Sequence, residues 1–231
     1  MSDDSLHSSG VVPPKLKGIP RLMAAARPIR RSPDESIRMF EADWMEALSK
    51  IPFWVPMALY LPLFAWMTWT AFAGGITVLG WIAAFAGGLL IWTATEYFLH
   101  RFLFHWTPPG KFGERIHFIW HGVHHDHPND RLRLVMPPSV SVPLAFGFYS
   151  LFGLAFSGPT LLAVFGGFIV GYVIYDTLHY ALHHHAWQQP LFKKLKVHHM
   201  QHHFVNGTTG YGVSSPLWDW IMGTRRVAAK P

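Results

Sequence analysis

The sequence contains no cysteine, and only 14% of its 231 residues carry a formal charge. Without thiols the chain cannot form disulfides, thiolate metal sites, haem–thiolate centres or cysteine nucleophiles. The charges are also unevenly placed, because residues 51–95 and 134–175 contain none. Half of the residues are hydrophobic and the mean hydropathy is +0.19. This composition excludes a disordered chain and indicates an integral membrane protein.

The two charge-free stretches predict the topology. A helix rises about 1.5 Å per residue and the hydrocarbon core is about 30 Å thick, so each stretch is long enough for about two crossings. Small residues and a proline indicate hairpin turns at 73–75 and 157–159. We therefore expect an all-α integral membrane protein with four transmembrane helices near residues 52–72, 76–95, 140–157 and 160–178. The alternative, a soluble bundle with two buried hairpins, does not need charge-free runs of this length.

The remaining segments predict an orientation. Residues 1–50, 96–133 and 176–231 contain 8, 5 and 6 Lys and Arg residues, and the two hairpin turns contain none. An excess of positive charge is typical of cytoplasmic loops, so we expect all three segments to form a cytoplasmic face with a helical cap. The net charge of +6 then suits an anionic lipid surface, and we expect no nucleic-acid partner.

Histidine is what the sequence has in excess. Fifteen of its sixteen histidines lie between His100 and His203. Ten of them form four groups at or beyond the ends of the predicted spans: His100 and His105; His121, His124 and His125; His179 and His183; and His199, His202 and His203. Two groups have the spacing HxxHH, which places three imidazoles within about 100° of a helix surface, so we expect each motif to converge on a metal. The five-residue spacing of the first pair fits a regular helix less well.

Clustered neutral imidazoles need a cation or many hydrogen bonds. Ten ring nitrogens exceed the coordination of one ion, so two metals are predicted. All-nitrogen ligation suits zinc, copper, nickel or iron. The HExxH motif of zinc proteases is absent. A pair of ions held by ten histidines at a membrane surface fits oxygen activation, which needs a redox-active metal. We therefore favour two iron ions, with zinc as an inactive substitute. A metal transporter is the alternative class, but its histidines would lie within the spans near the bilayer centre.

The motifs around these histidines resemble the membrane fatty acid hydroxylases, and most closely the fatty acid 2-hydroxylases of sphingolipid metabolism. The resemblance extends over residues 38–224 and is carried by residues 96–105, 117–125, 133–138, 171–180, 198–204 and 210–219, with a weaker match at 40–56. It implies a dimetal centre on a four-helix membrane base, molecular oxygen as co-substrate, and hydroxylation at carbon 2 of an acyl chain, free or in a ceramide-like lipid. It also implies that the ten clustered histidines are the ligands.

The resemblance further implies an electron donor. Many eukaryotic members of the family carry a fused haem-binding domain that this sequence lacks, so we expect a separate electron-transfer protein, a b-type cytochrome or a ferredoxin with its reductase. For the same reason the resemblance suggests a bacterial or plant-like single-domain form, and we expect a bacterial inner membrane in preference to the endoplasmic reticulum. A related enzyme acting on a carotenoid, sterol or ornithine lipid is the alternative.

The expected organisation is a basic N-terminal arm, a membrane hydroxylase domain and a short tail. They cover residues 1–37, 38–224 and 225–231. The arm lacks an apolar core, so we expect no cleavable signal peptide.

Two carboxylates lie at helical spacing from predicted ligands. Asp176 precedes His179 by three residues, so we expect it to accept the second imidazole N–H and orient the ring. The alternative is an ordinary polar residue at a helix end. Glu96 precedes His100 by four residues and has either that role or an ion pair with Arg101. Residues 210–220 either close over the site or form a structural turn.

Overall fold

A computed structural model describes residues 36–225, so nearly all of the predicted arm (1–37) and tail (225–231) lie outside the described residues. All regular secondary structure in the described part is helical, and this part contains no strand. Its α-helices are α1 (Asp43–Ser49), α2 (Val55–Ala73), α3 (Val78–Phe98), α4 (Gly110–His117), α5 (Val123–Asp126), α6 (Pro138–Phe152), α7 (Gly158–His184), α8 (Pro190–Phe204) and α9 (Leu217–Ile221). Two π-helical segments, Leu99–Phe104 and Phe118–Gly122, continue α3 and α4.

Three helices of the described part are long and apolar enough to cross a membrane: α2, α3 with its π-helical continuation, and α7. They cover the predicted spans 52–72, 76–95 and 160–178. The span predicted near 140–157 coincides with α6, which is apolar but has only 15 residues. At about 1.5 Å per residue, this helix is about 22 Å long and shorter than the hydrocarbon core.

Helix α7 lies at the centre of the apolar part and packs directly against α3. Glycine permits this approach, because a Cβ atom added to Gly88 would lie 1.9 Å from the Val164 carbonyl oxygen. In the same interface, a Cβ atom on Gly167 would lie 2.0 Å from the Phe85 carbonyl oxygen. The two backbones are therefore in contact, and neither glycine has space for a side chain.

Helix α6 packs against α7 through aromatic side chains. The ring centroids of Phe148 and Phe152 lie 4.8 and 5.1 Å from that of Phe168. The Tyr149 ring lies 5.1 Å from Phe165. Large side chains therefore separate these two helix backbones.

A buried ion pair connects α1 to the segment before α6. The guanidinium of Arg133 lies 2.5 Å from the carboxylate of Glu46, and both side chains are buried. Glu46 also accepts backbone hydrogen bonds from Met39 at 2.9 Å and Phe40 at 3.1 Å. These contacts fix α1 and the residues before it against the loop that leads into α6.

Candidate metal centre

The first pair of predicted ligands lies where α3 becomes π-helical. The His105 N–H donates to the His100 carbonyl at 3.2 Å, which is the i to i+5 bond of a π-helix. Residues five apart then lie above one another. The two Nε2 atoms are consequently 3.2 Å apart, although their spacing fits a regular helix poorly.

The structure brings all ten predicted ligands together in two groups of five. Within each group the candidate ligand atoms lie within 4.8 Å of one another. Cluster A contains His100, His105, His121, His125 and His202. Cluster B contains His124, His179, His183, His199 and His203. The remaining histidines of the region, His117, His127, His184, His185 and His198, belong to neither cluster.

Each HxxHH motif contributes to both clusters, which differs from the expectation that its three rings converge on one metal. His121 and His125 lie in cluster A with their Nε2 atoms 2.9 Å apart, whereas His124 lies in cluster B. The second motif is divided in the same way, since its first and last histidines lie in cluster B and His202 lies in cluster A. At about 100° per residue, i and i+4 differ by about 40° and i+3 and i+4 by about 100°. The middle histidine of each motif therefore faces the neighbouring cluster.

The clustered imidazoles are neutral. Burial and the neighbouring histidines lower the pKa of His124 well below its usual value and lower the pKa values of His125 and His203 to about 2. A neutral imidazole offers a nitrogen lone pair to a metal. The donor set of each cluster therefore needs no deprotonation at neutral pH.

The crowding of ring nitrogens fits a cation in each cluster. In cluster B the Nε2 atoms of His183 and His199 are 2.8 Å apart. Within the described residues, neither ring nitrogen of the buried His179 has a hydrogen-bond partner. Buried polar atoms without partners are costly, and a metal ion would satisfy several of them together. Five nitrogen donors per cluster suit a transition metal.

Two rings of cluster A are oriented by a loop. The Nδ1–H of His100 donates to the Tyr211 carbonyl at 2.5 Å, and that of His202 donates to the Thr209 carbonyl at 2.8 Å. A proton held on Nδ1 leaves the Nε2 lone pair free for the metal. The backbone at Thr209 and Tyr211 therefore lies against cluster A. This favours the first of the two alternatives for residues 210–220, in which the segment closes over the site.

The two carboxylates near the ligands have other partners than those expected. Asp176 accepts the backbone N–H of Met136 at 3.3 Å, and it forms no hydrogen bond with His179. The loop before α6 packs on this side of α7, so its backbone reaches the carboxylate. Within the described residues, Glu96 forms no hydrogen bond with a ligand ring and no ion pair with Arg101. It accepts backbone N–H groups of the loop near residue 213 instead.

Asp219 is a residue of the site that the motifs alone did not reveal. Its side chain is fully buried, and it accepts the N–H groups of Tyr211 at 2.9 Å and Gly212 at 2.7 Å. Burial alone would raise the pKa of Asp219, but its hydrogen bonds, that from His198 first, hold the pKa below its usual range. The available signal was its position at the end of the 210–219 segment that carries the resemblance, where it is the only acidic residue after Asp176 in the sequence.

A cavity of about 610 Å³ reaches both clusters. Its lining includes His121 of cluster A and His124 and His179 of cluster B. The rest of the wall is mainly apolar and comes from α1 and the residues before it, both π-helical segments, the loop before α6, α6 itself and α7, with Leu48 and Leu144 as examples. An extended apolar molecule can therefore lie in the cavity and reach the histidines.

Apolar helices, two all-histidine clusters and an apolar cavity that meets both define a membrane protein with a metal centre for an apolar substrate. The family model described as fatty acid hydroxylase matches residues 85–224, and the chain belongs to the fatty acid hydroxylase family.

Individual relatives agree with this family. The chain is 41% identical over 192 residues to dihydroceramide fatty acyl 2-hydroxylase FAH2 of Arabidopsis thaliana, covering 82% of this chain and 80% of the relative. It is 38% identical over 210 residues to fatty acid 2-hydroxylase of Rattus norvegicus, covering 81% of this chain and 56% of that protein. A solved structure of full-length Scs7p, in which only the hydroxylase domain is visible, has a TM-score of 0.77 and 38% identity, with 81% of this chain and 72% of that chain covered.

These comparisons confirm the resemblance to the fatty acid 2-hydroxylases and correct the expected location. The expectation of a bacterial inner membrane is wrong, because the matched relatives come from plants, yeasts and mammals. A short chain does not imply a bacterial protein, since this chain spans 80% of the Arabidopsis relative. An integral membrane protein remains supported by the apolar helices α2, α3 and α7.

Proposed function

We propose that the protein is a two-iron, oxygen-dependent hydroxylase that acts on carbon 2 of a fatty acyl chain, free or within a ceramide-like lipid. The observation that carries this proposal is the cavity, whose largely apolar wall ends at histidines of both clusters. Such a wall suits an acyl chain, and metals held by the histidines would lie at the end of the cavity where the reacting carbon enters. The printed names of the relatives, which include a dihydroceramide fatty acyl 2-hydroxylase, support this substrate class.

In this proposal the chain holds the metals and orients the substrate. The ten histidines would hold one ion per cluster, and the ions, when bound, would supply the reductive activation of molecular oxygen. The cavity wall excludes water from the reacting carbon and restricts how far the acyl chain of the substrate enters. Asp176 fixes the wall at Met136 through its carboxylate. Zinc in the same clusters would give an inactive protein, because zinc has no redox chemistry.

The proposed membrane arrangement has four spans and places the clusters on the cytoplasmic side. In it, α6 forms a hairpin with α7 despite its length, and residues 38–224 form the catalytic unit. The support is the restriction of every charged residue to three segments. Reporter domains inserted at residues 74 and 158 should both be external. A cytoplasmic signal at either position would contradict this arrangement.

The proposed partners are an acyl lipid in the membrane and a separate electron-transfer protein, a b-type cytochrome or a ferredoxin with its reductase. Oxygen chemistry at iron consumes electrons that the described residues do not supply. Purified iron-loaded protein given oxygen and substrate alone should therefore form no more than stoichiometric product. Sustained turnover without a donor would disprove the need for this partner.

Lipid mass spectrometry tests the activity directly. Host cells that express the protein should accumulate acyl chains with one added oxygen at carbon 2, and cells expressing His121→Ala should not. His185→Ala is the matched control, because His185 belongs to neither cluster. Oxygen found only at the methyl end, on a ring or on a head group would refute the substrate assignment.

A further inference from the structure

The loop formed by residues 209–214, here named the brace loop, is held by two buried carboxylates. Four consecutive backbone N–H groups of the loop donate to them. The distances are 2.9 Å from Tyr211 and 2.7 Å from Gly212 to Asp219, and 2.6 Å from Val213 and 2.8 Å from Ser214 to Glu96. Glu96 lies on α3 and Asp219 on α9, so the loop is fixed between two helices.

The same loop holds cluster A on its other side. Its carbonyl groups at Thr209 and Tyr211 accept the Nδ1–H groups of His202 and His100. Gly210, between them, has φ of +76°, a conformation that glycine adopts readily. The backbone therefore links the carboxylates to two of the five cluster A rings without any direct contact between carboxylate and ligand.

Cluster B has no comparable support. Within residues 36–225, the buried Nδ1 atoms of His199 and His203 have no hydrogen-bond partner, and neither ring nitrogen of His179 has one. The Nε2 atoms of His199 and His203 contact only other histidines of cluster B, so no backbone carbonyl or carboxylate of the described part orients these three rings. The two clusters thus have similar donor sets and different hydrogen-bonded surroundings.

We infer that Glu96 and Asp219 are positioning residues for cluster A alone, and that the two clusters consequently retain their metals with unequal strength. Hydrogen bonds to the second ring nitrogen fix the orientation of a ligand and strengthen it, and their loss typically weakens metal affinity about 10- to 100-fold. Cluster B should therefore release its ion first. The inference rests on the proposed function only in requiring that both clusters bind metal.

Metal release from the full chain in detergent tests this inference without an activity assay. Protein loaded with zinc alone is mixed with a chelator, and the zinc released is followed over time. The wild type should release about one ion per chain quickly and a second slowly. Asp219→Asn should accelerate the slow phase about 10- to 100-fold and leave the fast phase unchanged. A single phase in the wild type, or an effect on the fast phase, would overturn the inference.

Glu46→Gln is the matched control. Glu46 is also a buried carboxylate that accepts two backbone N–H groups, but its hydrogen bonds and ion pairs involve no histidine. Both release phases should remain as in the wild type. If Asp219→Asn does not fold, Thr224→Val removes the 2.7 Å hydroxyl bond to Asp219 together with the 2.9 Å bond between the Thr224 and Tyr97 hydroxyls, and it should accelerate the slow phase to a smaller extent. Unchanged phases in a folded variant of Asp219 would count against the inference.

Single-cluster variants assign the phases. His105→Ala should remove the slow phase, and His183→Ala should remove the fast phase. Adding Asp219→Asn should then change nothing in the first background and accelerate release in the second. The reverse assignment would refute the inference. A wild type that holds two zinc ions unequally, and whose iron form makes no 2-hydroxylated lipid, would refute the proposed function and leave this inference standing.

Discussion

Two helices pack against α7 in opposite ways. The α3 interface brings backbones together at glycines, with Gly88 against the Val164 carbonyl and Gly167 against the Phe85 carbonyl. The α6 interface is filled by the rings of Phe148, Phe152 and Phe168. The backbone of α3 is thus in direct contact with that of α7, whereas aromatic side chains lie between α6 and α7.

The difference matches what each helix contributes to the site. Helix α3 continues into the π-helical segment that positions His100 and His105, and α7 carries His179 and His183 near its end, so a fixed separation of the two backbones keeps both sets of ligands in place. Helix α6 contributes Leu144 to the cavity wall and no ligand. Tight backbone packing therefore supports the metal centre, and packing through side chains leaves space for the substrate.

The largest effect is expected from breaking the glycine contact. Gly88→Leu places a side chain against backbone atoms that cannot move aside, and overpacking of this kind destabilises a core by about 1–3 kcal/mol or more. Folded protein should be lost, together with both metals. Gly87→Leu is the control on the same helix, because a Cβ atom on Gly87 meets nothing within 4 Å. Size-exclusion chromatography and thermal melting in detergent would show the difference, and equal stability of the two variants would contradict the account.

Loss of single ligands should abolish the reaction without disturbing this packing. His125→Ala in cluster A and His203→Ala in cluster B each remove one nitrogen, and the helices still insert. Hydroxylated lipid should be undetectable, whereas His184→Ala should retain substantial activity because His184 belongs to neither cluster. Mass spectrometry of lipids and immunoblotting of membranes measure both outcomes. Full activity of His125→Ala or His203→Ala would require another set of ligands.

A smaller and more selective effect is expected on the α6 side. Leu144→Trp narrows the cavity and should reduce hydroxylation of long acyl chains on the order of ten-fold, with less effect on short chains and none on metal content. Phe146→Trp is the control, since Phe146 is 73% exposed on the same helix. Product analysis with acyl chains of several lengths provides the test. An equal loss for all lengths would argue against a cavity that accommodates the chain.

The smallest effect is a dependence of stability on pH at the α1 contact. Burial of Glu46 opposes its ionisation, but hydrogen bonds from Lys50, Met39 and Phe40 and the charge of Arg133 lower its pKa to about 2. This stabilisation is complete above the ordinary pKa of 4.5 and is lost as the pH falls from there towards 2. The difference in melting temperature between wild type and Glu46→Gln should shrink over this range. A constant difference would contradict a stabilising role of the ionised carboxylate.

The sequence was informative where local pattern determines structure. The charge-free stretches, with glycines at 74–75 and at 158, predict four spans, and three of them correspond to helices of the described part that are long and apolar enough to cross a membrane. The ten clustered histidines were identifiable because imidazoles repeated at helical spacing are typical of metal ligands and rare elsewhere. The length of α6 was not predictable, because residues 153–156, which follow its end at Phe152, are as apolar as the helix itself.

Other features depend on contacts between distant residues. The sequence around His100 has no simple signal for a π-helix. The five-residue spacing of His100 and His105 was therefore compared with a regular α-helix, which it fits poorly. Glu96 was expected to serve a nearby histidine or arginine, yet its partners lie more than 110 positions away at Val213 and Ser214. A carboxylate binds whichever N–H groups the fold places beside it, and short sequence spacing does not reveal them.

The division of each HxxHH motif between the clusters limits how the centre can be altered. Inserting or deleting one residue within 121–125 or 199–203 would rotate ligands of both clusters together. By contrast, His100 and His105 serve only cluster A, and His179 and His183 serve only cluster B. Each of the ten histidines belongs to one cluster only, so a version of the protein with one metal is accessible by substituting a single histidine, whereas a change of length in either motif would disturb both sites in a single step.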